Sequence, residues 1–531
     1  MGCEKHGVIG QTSSVVNGMC PKGCNFDGKS MVAVGLLRWF FNFQRHEIQL
    51  VFEMRGTDIS TGEISNLSED FLLRFYALHR RHIPKLKSLF ESNGGMVHHN
   101  DGTGEAGDDI VFSTKEGLTG ITLDARVIPS ESKKYVKPFL ENLHDSFGVP
   151  VAVVRDMSKQ IRDSVSDVFP DVLQLICHYH FVKNLGKIIF KERYESLRMS
   201  IVRTNRLSQL VKLKEKMLHV KSSNSLIMGE WIWTSLSIEY LLQPREQASG
   251  YPFTLPYFEI INRAIEVEEM VRCIVRWNAN HNIALEAILD LSKEVAGLIK
   301  NSDVRIRYFQ IKRIFGWFEE VRKILNVSRH LSGNEQDDKP VDIKKVEEQL
   351  EQVLNRIKRE GKELGGTYNY AAKSITEQFQ NHWNELFAEV HDKNGDIMEV
   401  ARDNGIEERS HRWSRMHTRR RTGRSRTAND MAKYGALLAV LSNLENKTYV
   451  EKVFTDVDDF VYEMQNITPE EIKEAKKLIK PYQHKNLVRS DKKRAVLLHE
   501  FVDILKSSED ADEADAELKN WLSKLQNLTT E

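Results

Sequence analysis

Neither sign of charge prevails in this chain: 76 basic side chains meet 76 acidic ones, and the formal net charge is zero. Bulk charge therefore carries no nucleic-acid signal, and only its distribution along the chain can. Cysteine is scarce, at five residues in 531, and no secretory leader is visible. A reducing compartment without structural disulfides is expected. No apolar run approaches the roughly 20 residues that span a bilayer. The nearest candidate, residues 31–41, is short and broken by Arg38. Met1-Gly2 opens like an acylation signal, but His6 stands where that signal needs Ser or Thr. Internal repeats are missing as well. What remains is an ordinary soluble composition, 40% hydrophobic and 29% charged, with room for two to four domains.

The first two dozen residues are loop-like and hold three of the five cysteines. Cys3 and His6 form a C-x-x-H pair, and Cys20 and Cys24 a looser C-x-x-x-C pair. Together they are a candidate zinc set, or a remnant whose thiols are inert. From Ser30 to about Ser92 the pattern is helical. Ser60 with Glu63 reads as a capping box opening a short helix, and Ser68 as the cap of a longer one. That spacing suits a helix-turn-helix DNA-binding unit and equally a plain helical subdomain.

At Gly94-Gly95 the periodicity changes. Residues 96–100 read as a strand ending at Asp101, and 110–114 and 118–128 as two more. A helix is expected over 131–147, then an apolar strand over 151–154 ending at Asp156, a helix to Phe169, and a last strand over 172–177. Three strands, a helix, a strand, a helix and a strand is the order of an RNase H-like sheet. In that order the first and fourth strands are neighbours, so Asp101 and Asp156 would meet at their ends. Clustered carboxylates repel, and they favour a proton or a hard cation such as Mg²⁺. Asp108 and Asp109, ahead of the second strand, compete for the role but read as turn formers.

Beyond His180 the pattern stays helical to about Val400. Ile343, Val346, Leu350, Val353 and Ile357 keep 3-4 spacing, as in a helix packed coiled-coil fashion. Thr468-Pro469-Glu470-Glu471 is a further capping box. Six acids between Glu509 and Glu517 read as a solvated face or frayed tail. Residues 402–426 are the most polarised stretch, with nine arginines against Asp403, Glu407 and Glu408. Arg412, Arg415, Arg419, Arg420, Arg421, Arg424 and Arg426 make a phosphate-binding footprint. An acid inside such a run needs a reason, and holding a metal that phosphates also touch is one.

Asn100-Asp101-Gly102-Thr103, Ile128-Pro129-Ser130-Glu131, Phe147-Gly148-Val149-Pro150 and Val154-Arg155-Asp156-Met157-Ser158 follow one another in an order that resembles DDE transposases. Cys177-His178-Tyr179-His180-Phe181, a long helical insertion, Asp403-Asn404-Gly405-Ile406-Glu407 and the Thr-Gly-containing basic run continue it. The likeness is to the Mutator-like group and related prokaryotic insertion-sequence transposases, over about residues 30–455. It implies an α/β, RNase H-like mixed sheet flanked by helices and interrupted by a large all-α insertion. It also implies metal-dependent strand cleavage and transfer at transposon ends by two Mg²⁺ or Mn²⁺ ions. Asp101, Asp156 and Glu407 would hold the metals, with Glu408 as the neighbour that could displace Glu407. His180 would orient the scissile phosphate.

The implied partners are double-stranded transposon ends and target DNA, bound by a homodimer or higher oligomer, with no membrane. The location would be cytoplasmic, or nucleoid-associated in a prokaryote. The expected division is 1–29, a zinc-ribbon remnant; 30–93, helical; 94–190, the first part of the core; 191–400, the insertion; 401–450, the last core helix; and 451–531, a helical C-terminal region. Two rivals stand beside this reading: a domesticated, inactive DNA-binding descendant, and an RNase H-type nuclease on RNA–DNA hybrids.

Overall fold

The computed structural model describes the backbone of residues 2–3, 7–8, 26–104, 108–218, 224–243, 250–281, 286–327, 342–479 and 504. It describes their side chains except at 2–3, 7–8, 218, 277–281 and 408. The candidate zinc side chains Cys3, His6, Cys20 and Cys24 and the acidic run 509–517 lie outside the described residues.

Four helices lead into the sheet: α1 (Gly28–Gly35), extended by a π-helical stretch over Leu36–Phe40, α2 (Arg45–Glu53), α3 (Thr61–Arg81) and α4 (Ile83–Ser92). Ser60 caps α3 by accepting from the Glu63 amide at 3.0 Å. The second helix expected at Ser68 does not begin there. Ser68 lies inside α3, and its hydroxyl donates to the Ser65 carbonyl at 3.0 Å. A serine satisfied in that way no longer competes with the helix. Ile64, Leu67, Phe71, Phe75 and Leu78 keep one buried stripe across the position.

Strands β1 (Val97–Thr103), β2 (Ile110–Glu116) and β3 (Thr122–Ile128) form an antiparallel meander. Helix α5 (Lys133–Phe147) leads to β4 (Ala152–Arg155), and α6 (Lys159–Val168) leads to β5 (Leu173–Ile176). Both join the sheet in parallel, giving the spatial order β3-β2-β1-β4-β5. The apolar run Ala152-Val153-Val154 of β4 is explained by burial on both faces. Val153 points into a core shared with α5, α6 and the N-terminal helices, and Val154 into one shared with the helices that follow β5.

Those helices are α7 (His178–Arg203), α8 (Arg206–Leu218), α9 (Ser225–Leu242), α10 (Pro256–His281), α11 (Glu286–Ile299), α12 (Ser302–Ile324), α13 (Ile343–Leu364) and α14 (Gly366–Phe387). The 3-4 spaced residues of α13 are spent inside the chain. Val346, Leu350 and Ile357 are buried in the same core as Ala371, Ala372 and Ile375 of α14; Ile343 and Val353 are only partly buried against it, and Leu354 takes the buried place beside Val353. A two-residue hairpin, β6 (Val390–His391) with β7 (Ile397–Met398), interrupts the helical stretch.

The chain then returns to the sheet as α15 (Gly405–Thr422) and α16 (Ala428–Leu441), followed by α17 (Lys447–Val453), α18 (Val457–Gln465) and α19 (Pro469–Lys476). Thr468 and Glu471 make the expected capping box of α19. Helix α16 lies against β2 and β3, where Met431, Ala436 and Ala439 pack with Val111, Ala125 and Val127. Gly435 permits that approach, since a Cβ there would stand 2.4 Å from Val111 Cγ2.

Gly435→Val is expected to lower stability by roughly 1–3 kcal/mol through overpacking. Gly316→Ala, on the exposed side of α12 with nothing within 4 Å, should raise it by about 0.5–1 kcal/mol. Thermal melts followed by circular dichroism check both. A neutral Gly435→Val would mean that α16 does not sit this close to the sheet.

Candidate active site

Asp101 is the fifth residue of β1, not the residue after its end. Ser113 stands directly opposite it on β2. The parallel pairing of β1 with β4 runs Val97↔Ala152, His98↔Val153, His99↔Val154. Carried two residues further, that register would bring Asp101 level with Asp156, the residue after the end of β4. By strand alternation both side chains belong to the face of His99 and Val154.

The third acid arrives from far along the chain. Asn404, just before α15, donates from its backbone N–H to Cys177 Sγ at 3.2 Å and from Nδ2 to the Asn100 carbonyl at 3.0 Å. Its Oδ1 lies 3.2 Å from His99 Nδ1, which fixes the Nδ1–H tautomer of that ring. Glu407 follows less than one turn later. It is fully buried, and its Oε2 accepts from Ser113 Oγ at 2.7 Å. One turn on, His411 Nε2 lies 3.9 Å from Asp101 Oδ2 and 3.9 Å from Glu407 Oε2. The two carboxylate oxygens are thus at most twice that distance apart.

Burial dominates the electrostatics. It pushes the Glu407 carboxyl up to about 7, against the opposing pull of the Lys115 ammonium and the Ser113 hydroxyl. It pushes His411 down to about 3, helped by Arg415 and Lys115, so the imidazole is neutral. Asp156 is raised by burial, although the Ser158 amide donates to its Oδ1 at 2.8 Å.

A fourth acid lies on the other face of the sheet, within reach of the Asp156 charge. Glu131 is pushed up to about 7 by burial and then by the charge of Asp156. Its Oε1 would lie 2.3 Å from a Cβ added at Gly102, so it closes over the residue after Asp101. By alternation that position faces the side of the sheet opposite to Asp101. Glu407 Oε1 and His411 Nε2 are buried without a hydrogen-bond partner. Orphaned acceptors beside carboxylates have the donor chemistry a hard divalent cation takes. Among the described residues, however, no three His, Cys, Asp or Glu side chains stand close enough to hold a metal.

His180 is not joined to the acids. It lies in the first turn of α7, held down to about 4 by burial and by Lys183 and Lys187. Asp108 and Asp109 stand just ahead of β2, where turn formers were expected.

The arginines divide by position. Arg412, Arg419, Arg420, Arg424 and Arg426 are exposed, while Arg415 is half-buried and bonds Thr103 Oγ1. Arg421 departs from the expected open face: it is 3% exposed, with its guanidinium 4.0 Å from the centre of the Trp39 ring. Sequence reasoning missed His411, Ser113, Lys115 and Glu131. The i, i+4 spacing of Glu407 and His411 was a usable signal for the first. No protein-family model matches the chain, and no curated protein matches it in sequence.

The pH response follows from these shifts with opposite signs. His98, His99, His178, His180 and His411 are held well below the ordinary histidine value by burial. Their contribution is present above about 6.5 and lost as pH falls through about 4 to 3. Glu131 and Glu407 are raised, so theirs is present below about 4.5 and lost as pH climbs through about 7. The double variant Glu131→Gln/Glu407→Gln should therefore melt a few degrees above wild type at pH 8 and show no gain at pH 4.5. Parallel melting curves at constant ionic strength decide this, and equal differences at the two pH values would contradict it.

Proposed function

We propose that this chain cuts and joins DNA strands as a transposase of the DDE kind, with Asp101, Asp156 and Glu407 as its acids on an RNase H-like core. The carrying observation is the return of α15 to the sheet: it sets Glu407 and His411 against Asp101, in a strand whose parallel neighbour leads into Asp156. The strand order β3-β2-β1-β4-β5, with a helical excursion between β5 and α15, supports the same reading.

Asp101, Asp156 and Glu407 would hold Mg²⁺ or Mn²⁺. The chemistry such ions would supply there is activation of a water for in-line attack and charge stabilisation of the leaving 3′ oxygen. Neutral His411 keeps the Asp101 and Glu407 carboxylates apart without adding a charge. The exposed arginines Arg412, Arg419 and Arg420 continue along α15 toward solvent and would grip the DNA backbone. The freed 3′-OH would then attack target DNA at the same acids. Pairing of two transposon ends calls for a dimer or higher oligomer.

A second reading, a transposase-derived DNA-binding protein without strand transfer, is favoured by Lys115. Its buried ammonium acts on Glu407 from within the protein, where a divalent cation would otherwise be needed.

Nicking and joining of DNA ends in Mg²⁺ or Mn²⁺ separate the two. Asp101→Ala, Asp156→Ala and Glu407→Gln should each lower turnover by roughly three orders of magnitude, about 4 kcal/mol of barrier, with DNA affinity nearly kept. Equal cleavage by wild type and Asp101→Ala would end the enzyme reading. Cleavage of RNA–DNA hybrids without end joining would favour a nuclease instead.

A further inference from the structure

At the far end of α15 lies a polar cleft of about 560 Å³, walled by the π-helical stretch after α1, by α2 and by α3 on one side and by the α15–α16 turn and the start of α16 on the other. Arg38, Arg45, Arg421 and Arg424 line it, with Ser65 and Asp430 between them. Two of the arginines are anchored: Arg38 Nη1 donates to the Phe43 carbonyl at 2.9 Å, and Arg45 Nη1 to Ser65 Oγ at 3.2 Å. Arg421 is not. It is 3% exposed, and its Nη1 and Nη2 have no hydrogen-bond partner. The acid beside it, Asp430, is 4.0 Å from Nη2 and is shared with Arg424 at 3.9 Å. Glu47 also acts on Arg38, but its Oε2 already accepts from the Gln44 amide.

A buried guanidinium with idle donors and positive neighbours is costly unless an anion meets it. Burial and Arg38 together hold Arg421 down to about 9. The planar fork of arginine matches phosphate oxygens, and two such forks lining one cleft make a phosphate receptor, whereas the Ser65 hydroxyl is already spent on the Thr61 carbonyl. The Trp39 ring beneath Arg421 holds its plane in place.

We propose that this cleft is a phosphate-binding site, taking a phosphate mono- or diester between Arg38 and Arg421 with Arg45 and Arg424 at the rim. It stands independently of strand cutting. Arg421 lies about four turns beyond Glu407 on one helix, roughly 20 Å along its axis, so the two places cannot hold the same phosphate. The source of the phosphate is either a nucleic-acid backbone or a free anion.

The test uses the whole chain, titrated by calorimetry with inorganic phosphate and with a short duplex lacking terminal phosphates. Wild type should bind both, and phosphate should compete with the duplex. Arg45→Ala/Arg424→Ala, on the exposed rim, should weaken phosphate at least tenfold and Arg421→Met should abolish it. Arg198→Ala, at an arginine of α7 paired with Glu195, should leave phosphate affinity unchanged. Phosphate binding without competition from the duplex supports the site with a free anion as its ligand. Unchanged phosphate affinity in the rim variant, or no phosphate binding by wild type, overturns the proposal whether or not Arg421→Met folds.

Discussion

Asn404 is the joint on which the candidate site depends. Its backbone amide, side-chain amide and side-chain carbonyl tie two segments together: Cys177 after β5, and Asn100 with its neighbour His99 in β1. The residue is 1% exposed, so none of these partners can be replaced by water. Leaving one such buried group unpaired costs roughly 1–3 kcal/mol. Because the three contacts converge on the residue before α15, they set the height and rotation of that helix over the sheet. Glu407 and His411 take their positions from that first turn.

The same joint explains how a helical excursion of this size leaves the sheet undisturbed. It departs at His178 and returns at Arg402, and the His178 amide donates to the Arg402 carbonyl at 2.7 Å. His178 Nε2 lies 3.2 Å from the Leu386 carbonyl, and Arg402 donates to the Ala388 carbonyl at 2.7 Å. Exit and return are thus clamped side by side. The helices between can pack on one face of the sheet, sharing its core through Val97, Val154 and Leu175, without altering the register of β1, β2 and β4.

Most of the sheet was legible because its signals are local. Apolar runs, the Gly117 turn and Pro150 each mark an element within a few residues, and the observed strand ends fall within four residues of those expected, the largest gap being the start of β3 at Thr122. What was not legible depends on contacts distant in sequence. Asp101 was expected past the end of a strand, yet pairing with β2 carries that strand on to Thr103. Ser68 looked like a cap because sequence cannot show that its hydroxyl is already satisfied within a helix. Arg421 looked like a member of an open basic run because nothing near it announces Trp39. His411 and Lys115 have no meaning until α15 is laid over β2.

Lys115 and Glu407 show how the fold leaves a decision open. A carboxylate in so dry a place needs a proton or a cation, and burial has already raised its proton affinity to about 7. Lys115 offers a positive charge from inside, but its own burial lowers its hold on that charge. Its ammonium donates to the Gly120 carbonyl at 3.3 Å rather than to Glu407. The acid therefore keeps Oε1 unpartnered while Oε2 rests on a neutral hydroxyl. An ion pair built for stability would close both oxygens. Glu407 instead stands beside a second acid and a neutral imidazole, so its charge is set by proton binding rather than by a closed ion pair.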